Sequence, residues 1–326
     1  MVQFALFEVF AFSFTLSFLA VFFAVPFVIR NSRHVGLQGV DFNKKDRRKV
    51  PELGGIALVF GLSLGLLAAI TLGYNTPALE KIFLLGALGT ILLMGLMGII
   101  DDLYVLKRRV KAPLPFFSAI PLSSVRAGSR IIDFPFIGPI HFGSFYPVIA
   151  IPLGVGGASN AFNMLAGLNG LEAGMGIIMA TALSIAAFST GAWEALILSL
   201  CLLASLLAFF HYNRFPSKVF PGDVGTYTIG ATIASAAIIG NLELFGLVLF
   251  APYFVEFLLK LRSRFQAQCF GIPDTKGILH SPPHIGSLTH VIMRWQPVTE
   301  TQVVRVLLAV EAAAAVIALV ALPYLI

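Results

Sequence analysis

Apolar runs recur along this chain at about the length, 17 to 25 residues, that crosses hydrocarbon as a helix. They cover residues 4–29, 53–72, 82–100, 146–165, 171–189, 195–210, 226–239, 245–261 and 303–322, with a shorter, proline-marked run at 113–125. A transmembrane barrel would instead show alternating strands of about 9 to 11 residues. With 326 residues, 58% of them hydrophobic and 12% charged, and a mean hydropathy of +0.90, the chain is too apolar for an ordinary water-soluble domain. The expected fold is an all-α polytopic membrane protein of about ten transmembrane helices. No long linker or low-complexity tail interrupts it, so residues 1–326 read as one integral membrane domain.

Charge is distributed unevenly. Arg30, Arg33, Lys44, Lys45, Arg47, Arg48 and Lys49 follow the first run, a cluster from Lys107 to Lys111 follows the third, and Arg214, Lys218 and the residues from Lys260 to Arg294 follow later alternate runs. The opposite loops hold only Lys81, Arg126 and Arg130. The positive-inside rule puts the basic loops in the cytoplasm, and an even number of spans then leaves both termini outside. The first run carries Glu8 rather than a basic cluster ahead of it and lacks a small-residue cleavage site before Arg30, so it reads as a retained helix and not a removable signal. The net charge of +6 is spread along one membrane face without a nucleic-acid module, which argues against nucleic-acid binding. Cys201 lies in an apolar run and Cys269 in a loop, so no disulfide framework is expected. In the outer loop over 126–145, two short apolar stretches flank Gly138-Pro139, a pattern that fits a small extracellular β-hairpin turning on that pair.

The polar residues that remain collect at the basic face. Asp101-Asp102 ends the third run, where ionised carboxylates need a cation or a hydrogen-bonding cradle; Lys107, Arg108, Arg109 and Lys111 follow, suited to phosphate oxygens. The doublet equally well just ends a helix at the water interface. Asn160, Asn163, Gly167, Asn169, Gly170 and Glu172 put carboxamides, a carboxylate and helix-breaking glycines between two runs; Asn160 and Asn163 are three apart and share a helix face. Phe220-Pro221-Gly222-Asp223 presents a carboxylate at the opening of the next helix, as cap or as magnesium ligand. Lys49 and Glu52 precede the second span. His280, His284 and His290 in the last large loop are candidate phosphate or sugar contacts, without a zinc spacing.

Together these segments, from about Lys49 to His284, resemble the polyprenyl-phosphate N-acetylhexosamine-1-phosphate transferase superfamily, of the glycosyltransferase family 4 type. The motifs stand in the same order: Asp101-Asp102 with Lys111, Asn160-x-x-Asn163, Phe220-Pro-Gly-Asp223, then a late histidine loop. Val50-Pro51-Glu52 and the stretch from Asn163 to Gly174 are most similar to the archaeal and eukaryotic dolichyl-phosphate GlcNAc-1-phosphate transferase branch. Ala166-Gly167 stands where the phospho-MurNAc-pentapeptide branch usually has an aspartate-glycine pair, and Pro283 and Ile285 flank His284 where the dolichyl branch usually has arginines.

The resemblance implies transfer of GlcNAc-1-phosphate from UDP-GlcNAc to a polyprenyl or dolichyl phosphate, with release of UMP, at a cytoplasmic site in a prokaryotic, archaeal plasma membrane. It implies Mg²⁺, with Mn²⁺ as a substitute, held by Asn163 and Asp223. Asp101, Asp102, Lys111 and Asp223 are the implied catalytic residues, Asp101 orienting or deprotonating the acceptor. Lys49, Glu52, Asn160, Asn163, Gly167, Asn169, Phe220 and His284 are the implied substrate contacts, Gly167, Asn169 and Phe220 toward the uridine and His284 toward the sugar or pyrophosphate. Apolar helix faces are compatible with a homodimer. A transferase of the phospho-MurNAc-pentapeptide type is the alternative within the superfamily. A secondary transporter is the rival from another class, although the midplane of the runs is nearly free of ionisable residues. The spaced acidic motif of a CDP-alcohol phosphotransferase is absent.

Overall fold

The computed structural model describes residues 2–73, 80–104 and 106–326; Val105, inside the loop expected after Asp101, lies outside the described residues. Helix α1 (Val2–His34) leads into a two-stranded antiparallel ribbon, β1 (Gln38–Val40) and β2 (Lys49–Pro51), and then into α2 (Gly55–Leu72) and α3 (Lys81–Tyr104). Three short helices follow, α4 (Arg108–Lys111), α5 (Leu114–Ser118) and α6 (Ile120–Ser124). The hairpin of β3 (Ile131–Phe134) and β4 (Gly138–His141) precedes one π-helical turn (Tyr146–Ala150) that runs into α7 (Ile151–Met164). Next come α8 (Leu171–Thr190), α9 (Trp193–Asn213), α10 (Gly222–Ile239), α11 (Glu243–Leu249) and α12 (Ala251–Arg262). A three-stranded sheet of β5 (Ile272–Pro273), β6 (Ile278–His280) and β7 (Val298–Thr299) encloses α13 (Leu288–Trp295), and α14 (Glu300–Ala321) completes the bundle.

Among the described residues, six helices are long and apolar enough to cross a membrane, or seven if the bent pair α11 and α12 counts as one span. They are mantled in apolar side chains: Phe7, Phe23 and Phe27 on α1, Leu96 on α3 and Val320 on α14 all stand exposed. On a soluble protein such continuous apolar surface would drive association; here it is what lipid covers. Of the remaining expected runs, that at 226–239 lies in α10, which is unbroken and 18 residues long but less apolar than the six, and the others are helical but short or broken. Residues 113–125 divide into α5 and α6 at Ala119, and the run at 245–261 bends by 60° between α11 and α12, where Pro252 in the first turn of α12 cannot donate back to the preceding helix.

The hairpin expected over 126–145 is present, but its turn is not at Gly138-Pro139. Phe134 pairs with Gly138, so Pro135, Phe136 and Ile137 form the loop and Gly138 opens β4. The φ of +88° at Gly138 is the left-handed position that closes a three-residue loop and that glycine occupies without strain.

At the centre stands α10, every residue of which from Val224 to Ile239 is buried. It packs on α3, α7, α9 and α2, and its glycines and alanines let the neighbouring backbones come close. This arrangement delivers Asp223, in the first turn of α10, to the middle of one end of the bundle.

Candidate active site

The carboxylate doublet at the end of α3 divides its labour. Asp102 accepts hydrogen bonds from the N–H groups of Asp223 (2.8 Å) and Val224 (3.1 Å). It therefore caps α10 from a neighbouring helix, satisfying donors that a helix start leaves orphaned and adding a favourable negative charge there. Asp223 itself does not cap. Its side chain projects from the first turn, where Oδ1 accepts the Asn163 carboxamide N–H at 2.7 Å and Oδ2 accepts Lys111 Nζ at 2.5 Å. Lys111 also donates to Asp101 Oδ2 at 2.6 Å. Asp101 is only 4% exposed and is held further by the Tyr227 hydroxyl (3.2 Å) and the Leu106 N–H (3.2 Å).

Lys111 reaches this position because α4 turns back over the end of α3. Asn160 fixes that turn by donating to the carbonyls of Ala112 and Gly156, each at 3.0 Å. The shared face of Asn160 and Asn163 is thus used twice, once to hold the lysine-bearing segment and once to hold Asp223. Burial alone would lower the Lys111 pKa, but Asp223 and Asp101 outweigh it and hold the ammonium above the usual lysine range.

Glu52 completes the ring of charge. Its carboxyl lies above the usual glutamate range, through burial first and the proximity of Asp223 second. The strand before it is tied to the loop before α10, Phe220 donating its N–H to Pro51 O (2.8 Å) while its own carbonyl accepts from Gly54 N (2.9 Å). Asp101 and Asp223 share the Lys111 ammonium, while the Asp102 and Glu52 carboxyls lie close to Asp223, so carboxylates outnumber the one ammonium and favour a further cation. Among the described residues no three Asp, Glu, His or Cys side chains converge into a metal-holding group. Magnesium does not need one, since it commonly takes one or two protein oxygens and completes its shell with water and substrate phosphate. The Asp223 carboxylate and the neighbouring Asn163 carboxamide, hydrogen-bonded at 2.7 Å, are oxygen-bearing side chains of the kind that ion takes.

The other residues singled out in the sequence lie around this centre rather than in it. Lys49 is exposed on β2. Gly167 has φ +121° and packs against the Phe270 ring, which a β-carbon at this position would meet at 2.5 Å. Asn169 is 3% exposed and its carboxamide is taken up internally: Nδ2 donates to Glu300 (2.8 Å) and Asp41 (3.2 Å), and Oδ1 accepts from Ser217 N (2.7 Å). His284 lines a separate cleft of about 890 Å³ together with Arg262, Gln268, Phe270, His290 and Arg294; none of the four carboxylates borders that cleft. Burial keeps the His290 imidazole below the usual histidine range.

Tyr227, which locks Asp101, escaped sequence reasoning because it sits in an apolar run. Its place four residues after Asp223, one helical turn on, was the available signal. Glu300, in the first turn of α14, likewise does not stand out in the sequence from the polar residues around it.

Fold and site together define a polytopic helical membrane protein with a cluster of carboxylates, a carboxamide and a lysine at one end of its bundle. Residues 84–241 match the glycosyl transferase family 4 profile. A Saccharolobus solfataricus protein provisionally named UDP-N-acetylglucosamine–dolichyl-phosphate N-acetylglucosaminephosphotransferase is 40% identical over 94% of both chains. A Bacillus subtilis protein provisionally named undecaprenyl-phosphate N-acetylglucosaminyl 1-phosphate transferase is 31% identical over 82% of this chain and 75% of its own. The Dictyostelium discoideum UDP-N-acetylglucosamine–dolichyl-phosphate N-acetylglucosaminephosphotransferase is 29% identical over 80% and 71%. The chain belongs to glycosyltransferase family 4.

Proposed function

We propose that this protein transfers GlcNAc-1-phosphate from UDP-GlcNAc to a dolichyl or other polyprenyl phosphate and releases UMP. The observation that carries this reading is the convergence of Asp101, Lys111, Asn163 and Asp223 at one end of an apolar bundle, where a lipid-borne phosphate and a soluble nucleotide sugar can meet. The names of the relatives supply the substrate classes.

In the reaction, a phosphate oxygen of the acceptor attacks the β-phosphorus of the donor. The bond from that phosphorus to the bridging oxygen breaks, and UMP leaves with its electrons. A phosphate monoester with a second pKa near about 6 is already largely ionised at neutral pH, so positioning and charge neutralisation dominate over proton abstraction. Lys111, held between Asp101 and Asp223, presents its ammonium to phosphate oxygens. Asp101 holds Lys111, and Tyr227 fixes Asp101. Asp102 holds the first turn of α10, and with it Asp223, in place. Asn163 and Asp223 would hold Mg²⁺, or Mn²⁺ in its stead, and the ion when bound would neutralise charge developing on the pyrophosphate. Lys49, Glu52, Gly167 and Phe220 surround the nucleotide in this reading, and His284 reaches the sugar or pyrophosphate from its cleft.

Counting the broken segment at 113–125, the turn-plus-α7 segment, α10 and the bent α11–α12 pair gives ten spans, with both termini outside and the basic end in the cytoplasm. The direct test offers purified protein UDP-GlcNAc, UDP-GalNAc and the peptidoglycan precursor in parallel, with polyprenyl phosphate, and identifies the lipid product by mass spectrometry. A pyrophosphoryl-GlcNAc lipid is expected; absence of any sugar-phosphoryl lipid would refute the reading.

A further inference from the structure

We propose that Glu300 is a positioning residue for the nucleoside end of the donor, acting through Asn169 and Lys44; this deepens, and rests on, the transferase reading above. Glu300 opens α14, far in sequence from the motifs and outside the span 84–241 that the family profile matches. It is 3% exposed, and its carboxylate is divided between two tasks. Oε1 accepts the backbone N–H of Asn169 at 2.7 Å and the side-chain N–H of the same residue at 2.8 Å. Oε2 forms an ion pair with Lys44.

Through these bonds one side chain joins four segments. Lys44 lies in the connection between β1 and β2, and its ammonium also stands 4.5 Å from the centre of the Phe215 ring, on the loop that leads to Phe220. Asn169 lies on the turn that carries Gly167, and its oxygen reaches Ser217 on the Phe215 loop. Asp41 closes the circuit, accepting from Asn169 at 3.2 Å and pairing with Lys44 and Arg48 at 3.5 Å each. The two segments assigned to the uridine, those bearing Gly167 and Phe220, are thus held against each other by a buried network with Glu300 at its hub. Hydrogen bonds to a charged acceptor are among the stronger ones, and leaving a buried partner unpaired costs more than the bond itself. The bonds of Glu300 go to Asn169 and Lys44, whereas Asp101, Lys111 and Asp223 are held by other partners. Loosening the hub should therefore weaken donor binding without slowing the chemical step.

The test is Glu300→Gln in the full-length protein, purified in detergent and assayed with UDP-GlcNAc and polyprenyl phosphate, alongside calorimetric titration with UMP. Glutamine keeps the shape and one acceptor but forfeits the ion pair. The KM for UDP-GlcNAc and the Kd for UMP should each rise about tenfold, as for loss of uniform binding, while kcat and the KM for polyprenyl phosphate stay within about twofold of wild type. Glu300→Asp, which keeps the charge, should recover part of the affinity. An unchanged donor KM and UMP Kd would overturn the proposal, whether kcat stayed the same or fell through a smaller fraction of folded protein, and so would a rise in both KM values together with a fall in kcat, the mark of a general disturbance of the site. Should Glu300→Gln not fold, Lys44→Met cuts the same ion pair from the other side and must give the same selective loss. A wild-type protein that neither releases nor binds UMP would overturn the transferase reading itself, and the role of Glu300 with it.

Discussion

Asp102 and Asp223 have the same side chain and different work, and the difference lies in where each oxygen's hydrogen bonds go. Both oxygens of Asp102 are committed to the backbone of α10; those of Asp223 meet side chains that a ligand can displace. Asp102→Ala should lower the thermal stability by about 1 kcal/mol, the usual cost of a lost cap, and reduce turnover with it. Circular dichroism melts and UMP release measured on the same preparation check that pairing. Glu52 gives a pH-dependent test. Its carboxyl titrates above the usual range because it is buried and faces Asp223, so the folded state binds that proton more tightly than the unfolded state. Its contribution to stability is then present below the usual glutamate pKa of about 4.3 and is lost as pH rises through the higher folded value. In metal-free buffer, Glu52→Gln should be more stable than wild type at neutral pH, with the gap closing toward about pH 4; a gap independent of pH would contradict the placement of Glu52. At this scale the sequence was legible wherever polar side chains broke an apolar run. It was silent on which carboxylate caps and which faces the ligand, because that depends on how α3 and α10 meet.

The meeting of those two helices requires a missing side chain. A β-carbon on Gly98 of α3 would stand 2.6 Å from Val224 N, the same amide that Asp102 caps. Gly98→Ala should force α3 away from α10 at a cost of about 1–3 kcal/mol, typical of overpacking, and loosen the Asp102 cap. Turnover should fall well below that of Gly157→Ala on α7, where a β-carbon meets nothing within 4 Å; equal activity of the two variants would contradict the close approach. Long helices such as α8 and α9 were readable because apolar runs bounded by glycine or polar residues leave few choices in lipid. The sheet of β5, β6 and β7 was not, since strands of two or three residues carry no periodicity. The bend between α11 and α12 was also hidden, because both halves are apolar and only Pro252 marks it.

For the molecule as a whole, the asymmetry of charge was the most informative sequence feature, and the structure gathers the basic loops and the carboxylate centre at one end of the bundle. Impermeant maleimide applied to right-side-out vesicles should label Ser144→Cys, on the hairpin side, and reach Thr275→Cys, in the β5–β6 turn, only after permeabilisation. Cys201 and Cys269 are both buried and should add little background; the opposite labelling pattern would invert the proposed topology. The position of the cleft lined by His284 and His290 could not be foreseen, because nothing in the spacing of the late histidines says where the loop after β6 and helix α13 set them relative to Asp223. The central claim is that separate segments build one centre in which Asp223, steadied by Asn163 and Lys111, handles a divalent cation and a pyrophosphate. Its most direct test titrates Mg²⁺ into EDTA-treated wild type and Asp223→Asn while following UMP release. Wild type should show saturable, metal-dependent release that the variant lacks across the whole titration; near-normal, metal-dependent turnover by Asp223→Asn would remove Asp223 from that centre.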